Sequence, residues 1–265
     1  VSASDGITEL KGWTILANVS TPANGSYFVK GESPVVTVTI LDNFAQGLSR
    51  ADFSSLNLYM VGPQDPKQTI TAVKLLNAST DRTKNPHHYI DLRSNPDVKV
   101  NGTRLIYTLR PVTDEQPGTY TVSVWSVLAS DPMQQLMKFT DVQIATRDVE
   151  SPVVENARCA ACHEGPIGGK MYMHHIDPSR SPTGSWGLDL EPTRSCKACH
   201  NNDGYAAYTD ASAPGGRVSD AIVRRVHGVH MGDHLKLPFN IDPQKGDFKD
   251  YVHLDFPANV NNCTA

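Results

Sequence analysis

The chain has no run of about 18 apolar residues, the length a membrane-spanning helix requires. No helix of it is therefore expected to cross a bilayer. It has no basic block either: 24 Lys and Arg stand against 28 Asp and Glu, a formal charge of -4. That argues against nucleic acid as a partner. Aromatic residues are few, at 7%, and hydrophobic residues make up 39% of 265 positions. The length has room for one large domain or two ordinary ones. An initiator Met and a signal peptide are missing before Val1, which reads as a mature, processed product. Cysteine is rare, with five residues in all and none in the first 150 positions.

Four of those five cysteines fall into two identical frames. Cys159-Ala160-Ala161-Cys162-His163 is one, and Cys196-Lys197-Ala198-Cys199-His200 is the other. C-x-x-C-H is the attachment signature of a c-type haem. Two thiols form thioethers with the porphyrin vinyl groups, and the adjacent His is placed to bind the iron as proximal ligand. Four thiolates around one zinc are the rival. A zinc ribbon, however, does not require His after both pairs, and its usual gap of about 15–20 residues is shorter than the one between Cys162 and Cys196. Close C-x-x-C pairs also fit a disulfide framework poorly. The fifth cysteine, Cys263, stands in Asn262-Cys263-Thr264-Ala265 and reads as the opening of a third motif that the given sequence does not complete. Attachment through C-x-x-C-H takes place outside the bacterial cytoplasm, so an extracytoplasmic location is expected.

Residues 1–150 carry a β pattern. Val36 to Ile40 alternate apolar with polar at period two, as a half-buried strand does. Trp13 to Leu16, Leu56 to Met60, Ile70 to Leu76, Leu105 to Leu109, Thr119 to Trp125 and Phe139 to Ile144 add further short strands. About seven strands separated by turn residues predict a β-sandwich or Greek-key domain of Ig-like kind. Asp148 to Pro152 mark a change of character, which divides the chain into a β-domain over 1–150 and a mostly irregular or α multihaem cytochrome domain over 151–265.

The second half is rich in His. Met171-Tyr172-Met173-His174-His175 lies between the two motifs, and Val218 to His230 suits a helix. His227 and His230 would share one side of that helix, where each could serve a different iron. Met171, Met173 and Met231 are expected to pack as soft gap-fillers rather than to bind iron.

In this order the motifs resemble the outer-surface multihaem cytochromes of the OmcA/MtrC-like decahaem family. That pattern runs C-x-x-C-H, a distal His, a second C-x-x-C-H, a helix ending H-x-[IV]-H-x-G, then F/Y-P before N-C-x-x-C-H. Here the later pieces are His227-Gly228-Val229-His230-Met231-Gly232, Phe256-Pro257 and Asn262-Cys263. The resemblance implies a β-sandwich or split-barrel domain over 1–150 ahead of the haems, with His163 and His200 as proximal ligands. It makes one of His174 and His175, together with His227 and His230, distal ligands; His234 and His253 are weaker candidates. The loop between the first two motifs is longer than the family's, which leaves His174 and His175 as alternatives.

The expectation is electron transfer through at least two bis-His haem c groups, with a third at Cys263, and no catalytic residue. Other multihaem cytochromes or extracellular acceptors such as metal oxides would be the partners, and the β-domain could support self-assembly. The cell surface is favoured over the periplasm. Alternatives are a multihaem reductase with one open haem site and a zinc-ribbon-containing surface module. No C-x-x-C-K variant is present, and His residues are plentiful enough to fill sixth positions.

Overall fold

Period-two alternation becomes strand from Trp13 onward. The computed structural model describes residues 13–64, 71–72, 75–79, 87–130, 135–151, 192–204, 206–212, 216–219 and 221–230. In chain order the strands of the first half are β1 (Trp13–Val19), β2 (Val35–Asp42), β3 (Phe53–Gly62), β4 (Thr71–Ala72) and β5 (Ile90–Asp91). They continue with β6 (Lys99–Asn101), β7 (Arg104–Thr108), β8 (Gly118–Leu128) and β9 (Gln135–Ile144).

These strands form two antiparallel sheets. One has the order β1-β2-β7-β6; the other runs β4-β3-β8-β9, with β5 also paired to β3. The inward residues of both sheets belong to one apolar cluster. Ile15, Val36, Val38, Ile40, Leu105 and Tyr107 come from the first sheet, and Leu56, Leu58, Met60, Val122, Val124 and Ile144 from the second. Burial of this alternating set is the main force holding the two layers together. Trp13 ties them further. Its ring meets Phe53 edge-on at 6.0 Å, and its indole N–H donates to Ser126 Oγ at 2.8 Å, which satisfies a buried donor.

The strands at Trp13, Val36, Leu56, Leu105, Thr119 and Phe139 all appear. Of the expected strand over 70–76, Thr71–Ala72 is strand, while 70, 73 and 74 lie outside the described residues. Leu75 and Leu76 instead cover the core from outside regular structure. A larger difference concerns β8. Alternation there marks one wet face, yet Thr119, Thr121 and Ser123 are buried as fully as Tyr120, Val122 and Val124. Both faces of the second sheet are covered.

The chain leaves the sandwich beside β8. Thr119 N–H donates to Glu150 Oε2 at 3.1 Å, and Glu150 N–H donates to Thr119 Oγ1 at 2.8 Å. Beyond it lie helix α1 (Pro192–Cys199), the hairpin β10 (Ala206–Thr209) and β11 (Arg217–Ser219), and helix α2 (Ile222–His230). The helix expected over 218–230 therefore starts four residues late, because Val218 is spent on the hairpin. No helix among the described residues is long and apolar enough to cross a membrane.

Candidate haem-attachment site

The second C-x-x-C-H closes α1. Pro192 opens this helix, where a missing N–H costs nothing. Cys196 and Cys199 stand three residues apart, which puts both sulfurs on one side. Neither is in a disulfide. His200 N–H donates to Cys196 O at 2.7 Å, so the His follows directly on the last helical turn.

A helix end leaves carbonyls without partners, and here Asn201 supplies them. Its Nδ2 donates to Lys197 O at 3.0 Å and to Ala198 O at 3.2 Å. Its Oδ1 accepts from Asp203 N–H at 3.0 Å. The turn then passes so close to the helix that a Cβ on Gly204 would lie 1.9 Å from Cys199 O. Only glycine fits that approach.

Helix α1 lies on the outer face of the second sheet. Ala198 and Cys199 form a small buried cluster with Tyr59 of β3, and Tyr89, Trp125 and Met137 pack around it. Cys199 is 7% exposed and Tyr59 1%. Burial pushes the Cys199 thiol up to about 12, against an opposing pull from its hydrogen bond with Tyr59. Burial likewise raises the Tyr59 phenol well above its ordinary value. This burial differs from the exposed setting of the low-pKa cysteine that redox catalysis uses. Lys197 reaches the same sheet, its Nζ donating to Gln64 Oε1 at 3.1 Å.

Helix α2 is joined to the motif through the backbone, with Ile222 N–H donating to His200 O at 3.0 Å. The two helices also touch. Val223 and Val226 are 47% and 42% exposed, and they share one side of α2 with His227 and His230 by their spacing. His227 is exposed and His230 half-buried. His230 Nδ1 lies 2.8 Å from Val226 O. That bond, with Nδ1–H donating, leaves Nε2 as the nitrogen suited to a metal, the way ligating histidines are usually oriented.

These residues fit a haem c. Two thiols on one helical side precede an imidazole that is 8% exposed, and the adjoining helix presents a stripe of Val and His. Among the described residues no group of three or more His, Cys, Asp or Glu could hold a metal ion by itself. Cys159, Cys162, His163, His174, His175 and Cys263 lie outside the described residues.

MtrC and OmcA are among the solved structures the chain resembles. The chain is similar to the crystal structure of MtrC from Shewanella baltica OS185 with a TM-score of 0.45 and 15% identity, over 85% of this chain and 39% of that one. For the outer membrane decaheme cytochrome OmcA the TM-score is 0.43 and the identity 14%, over 84% of this chain and 32% of that one. The chain spans well under half the length of either. No family model and no curated protein matches it.

Sequence reasoning found the motif and the His helix but missed the groups that hold them. Tyr59 and Gln64 sit in the β half, more than 130 positions before the residues they touch, and no local signal marks them. Asn201 had one: an Asn directly after the motif, with Asp203 and Gly204 following, is the composition of a helix stop.

Proposed function

We propose that the chain carries electrons through covalently attached haem c, with a β-domain over 1–150 and a multihaem domain over 151–265. The observation that carries this is the arrangement around His200: two thiols three apart on a helical side, and a second helix, starting at the His200 carbonyl, that displays Val223, Val226, His227 and His230. Cys196 and Cys199 would hold the porphyrin by thioethers. His200 would bind the iron from one side, and His227 and His230 are the candidates for the far side of this haem or its neighbour. A bound haem c supplies an iron that cycles between ferrous and ferric states. The chain's own part would be to offer imidazoles to the iron, which would limit rearrangement on electron transfer and leave no coordination site open to substrate. Cys159, Cys162 and His163, with His174 or His175, would form the first such centre, and Cys263 would begin a third.

The first half is inferred to be an Ig-like sandwich. The orders β1-β2-β7-β6 and β3-β8-β9 correspond to the ABED and CFG sheets of that fold. The Tyr120 hydroxyl, donating to Gln116 O at 2.7 Å, supports this as a counterpart of the Tyr at the start of strand F. An extracytoplasmic, surface location and partners among other multihaem cytochromes or extracellular acceptors such as metal oxides complete the proposal, supported by the motifs and their resemblance to the OmcA/MtrC-like family.

The test is an absorption spectrum of the purified chain, oxidised and dithionite-reduced, with a pyridine haemochrome count. Two or more low-spin haems per chain, unmoved by carbon monoxide, are expected. His230→Ala should create a carbon-monoxide-sensitive fraction of one haem. A colourless zinc protein would end the proposal, and carbon monoxide binding by the unaltered chain would replace it with a reductase.

A further inference from the structure

We propose that the sandwich is part of the second haem centre, and that Tyr59 is a positioning residue for the Cys199 sulfur. The inference rests on the electron-transfer reading above and extends it to residues far from either motif.

The argument begins with a hydroxyl that needs a partner. Tyr59 is 1% exposed and lies on the outer face of β3. A phenylalanine would fill that space equally well, so the hydroxyl must be satisfied where it stands or it costs stability. Asn57, two residues back on the same face, approaches with its amide. Its Nδ2 donates to Tyr59 Oη at 3.4 Å. The oxygen is thereby used as acceptor and the phenolic proton is directed onward. Cys199 is the group it meets, since the two side chains pack in one buried cluster. Sulfur accepts through a lone pair. It keeps that lone pair when a thiol becomes a thioether, so the contact needs no proton on the sulfur.

A second tie fixes the helix independently. Lys197 Nζ donates to Gln64 Oε1 at 3.1 Å, and Gln64 Nε2 donates to Thr121 Oγ1 at 3.0 Å. Thr121 Oγ1 in turn donates to Asp141 Oδ1 at 2.7 Å. Each member gives in the same direction, from an ammonium on α1 to a carboxylate on β9, and Gln64 and Thr121 are buried. Lys197 and Cys199 lie on different sides of α1. The two ties together therefore oppose both rolling and sliding of the helix on the sheet. Ordinary packing accounts for neither, since apolar side chains alone would cover the same face without directional bonds.

A donor aimed at the sulfur would draw electron density from the edge of an attached haem and so favour its reduced form; hydrogen bonding around a haem is one of the protein's means of setting potential. Removing the hydroxyl should lower the midpoint of that haem and leave the others where they are.

The experiment is a spectroelectrochemical titration of the full, haem-loaded chain and of Tyr59→Phe. The wave of the second haem is assigned by its loss in Cys199→Ala. A downward shift of that wave alone is the expected result, with an unchanged haemochrome count. Identical titrations would overturn the inference, and so would equal shifts of every wave, which would report general loosening. Should Tyr59→Phe fail to accumulate, Asn57→Ala keeps the ring and removes only the group that orients the hydroxyl. It should shift the same wave in the same direction by less, and no shift there counts against the inference equally. Absence of haem from Cys196 and Cys199 in the unaltered chain is a separate outcome, which rejects the electron-transfer reading itself.

Discussion

Asn201→Ala is the substitution that most directly tests how the motif is held. Asn201 is 1% exposed and makes three side-chain hydrogen bonds: two to the carbonyls of Lys197 and Ala198 and one from Asp203 N–H. A net contribution of about 1 kcal/mol for each places the loss at about 3 kcal/mol. For a protein of this size that is about 6–12 °C in thermal midpoint. Asn201→Asp separates the two roles of the amide. The new carboxylate can still accept from Asp203 N–H, but it cannot donate to the two carbonyls. It would also sit at the negative end of a helix, adding about 0.5–1 kcal/mol of repulsion. Its acid form can donate to one carbonyl. Burial beside carbonyl oxygens raises the folded pKa of that carboxyl above the ordinary value of about 4. The folded state then holds the proton more tightly than the unfolded state does. The Asp variant should therefore recover stability relative to the Ala variant as pH falls through that raised value, and lose it again as pH rises. Thermal unfolding of both variants between neutral and mildly acid pH reads this out, with amide exchange at His200 as a local probe. Two variants within 0.5 kcal/mol of the unaltered chain at every pH would refute the capping argument.

Two further outcomes follow from single side chains. Burial alone would push the Asp91 carboxyl up, but bonds from the Arg93 side chain and backbone N–H and from Ser94 outweigh it and hold the carboxyl below its ordinary value. Asp91→Asn should thus be less stable than the unaltered chain at neutral pH, and the gap in urea midpoint should close as pH falls below about 4; a gap independent of pH would contradict this. Ser123 Oγ is buried without a hydrogen-bond partner, a defect worth about 1 kcal/mol or more. Ser123→Ala should raise the thermal midpoint by about 2–4 °C, and a fall would show that the hydroxyl has a use.

Much of the fold was legible because its signals are local. Val36, Val38 and Ile40 alternate with polar neighbours, and the alternation alone specifies which side of β2 meets the core. The C-x-x-C-H of Cys196 to His200 carries its chemistry in five consecutive residues. Two things were not legible. The hairpin that shortens the second helix pairs Val218 with Tyr208, a contact that helical periodicity around Ala221 and Val226 does not reveal. The cover over the second sheet was hidden for a deeper reason: Thr119, Thr121 and Ser123 have the composition of a wet face, and period-two reasoning sorts residues by polarity rather than by burial.

That buried polar face bears on what the sandwich is for. A sheet that only had to close an apolar core could leave its outer Thr and Ser residues in water. Here Thr121 is satisfied by Gln64 and Asp141, and Thr119 by Gln143 and Glu150. Hydroxyls that have given up water for fixed partners gain little net energy, about 0.5–1.5 kcal/mol each. What they do add is direction, because such bonds hold only in one register and one orientation. An apolar surface would have held α1 as firmly but let it slide; the polar one holds Lys197 and Cys199 at fixed points. On the electron-transfer proposal, in which an attached haem would have to keep one position relative to its neighbours, the face built from Asn57, Tyr59, Gln64 and Thr121 would be the part of the β half that provides it.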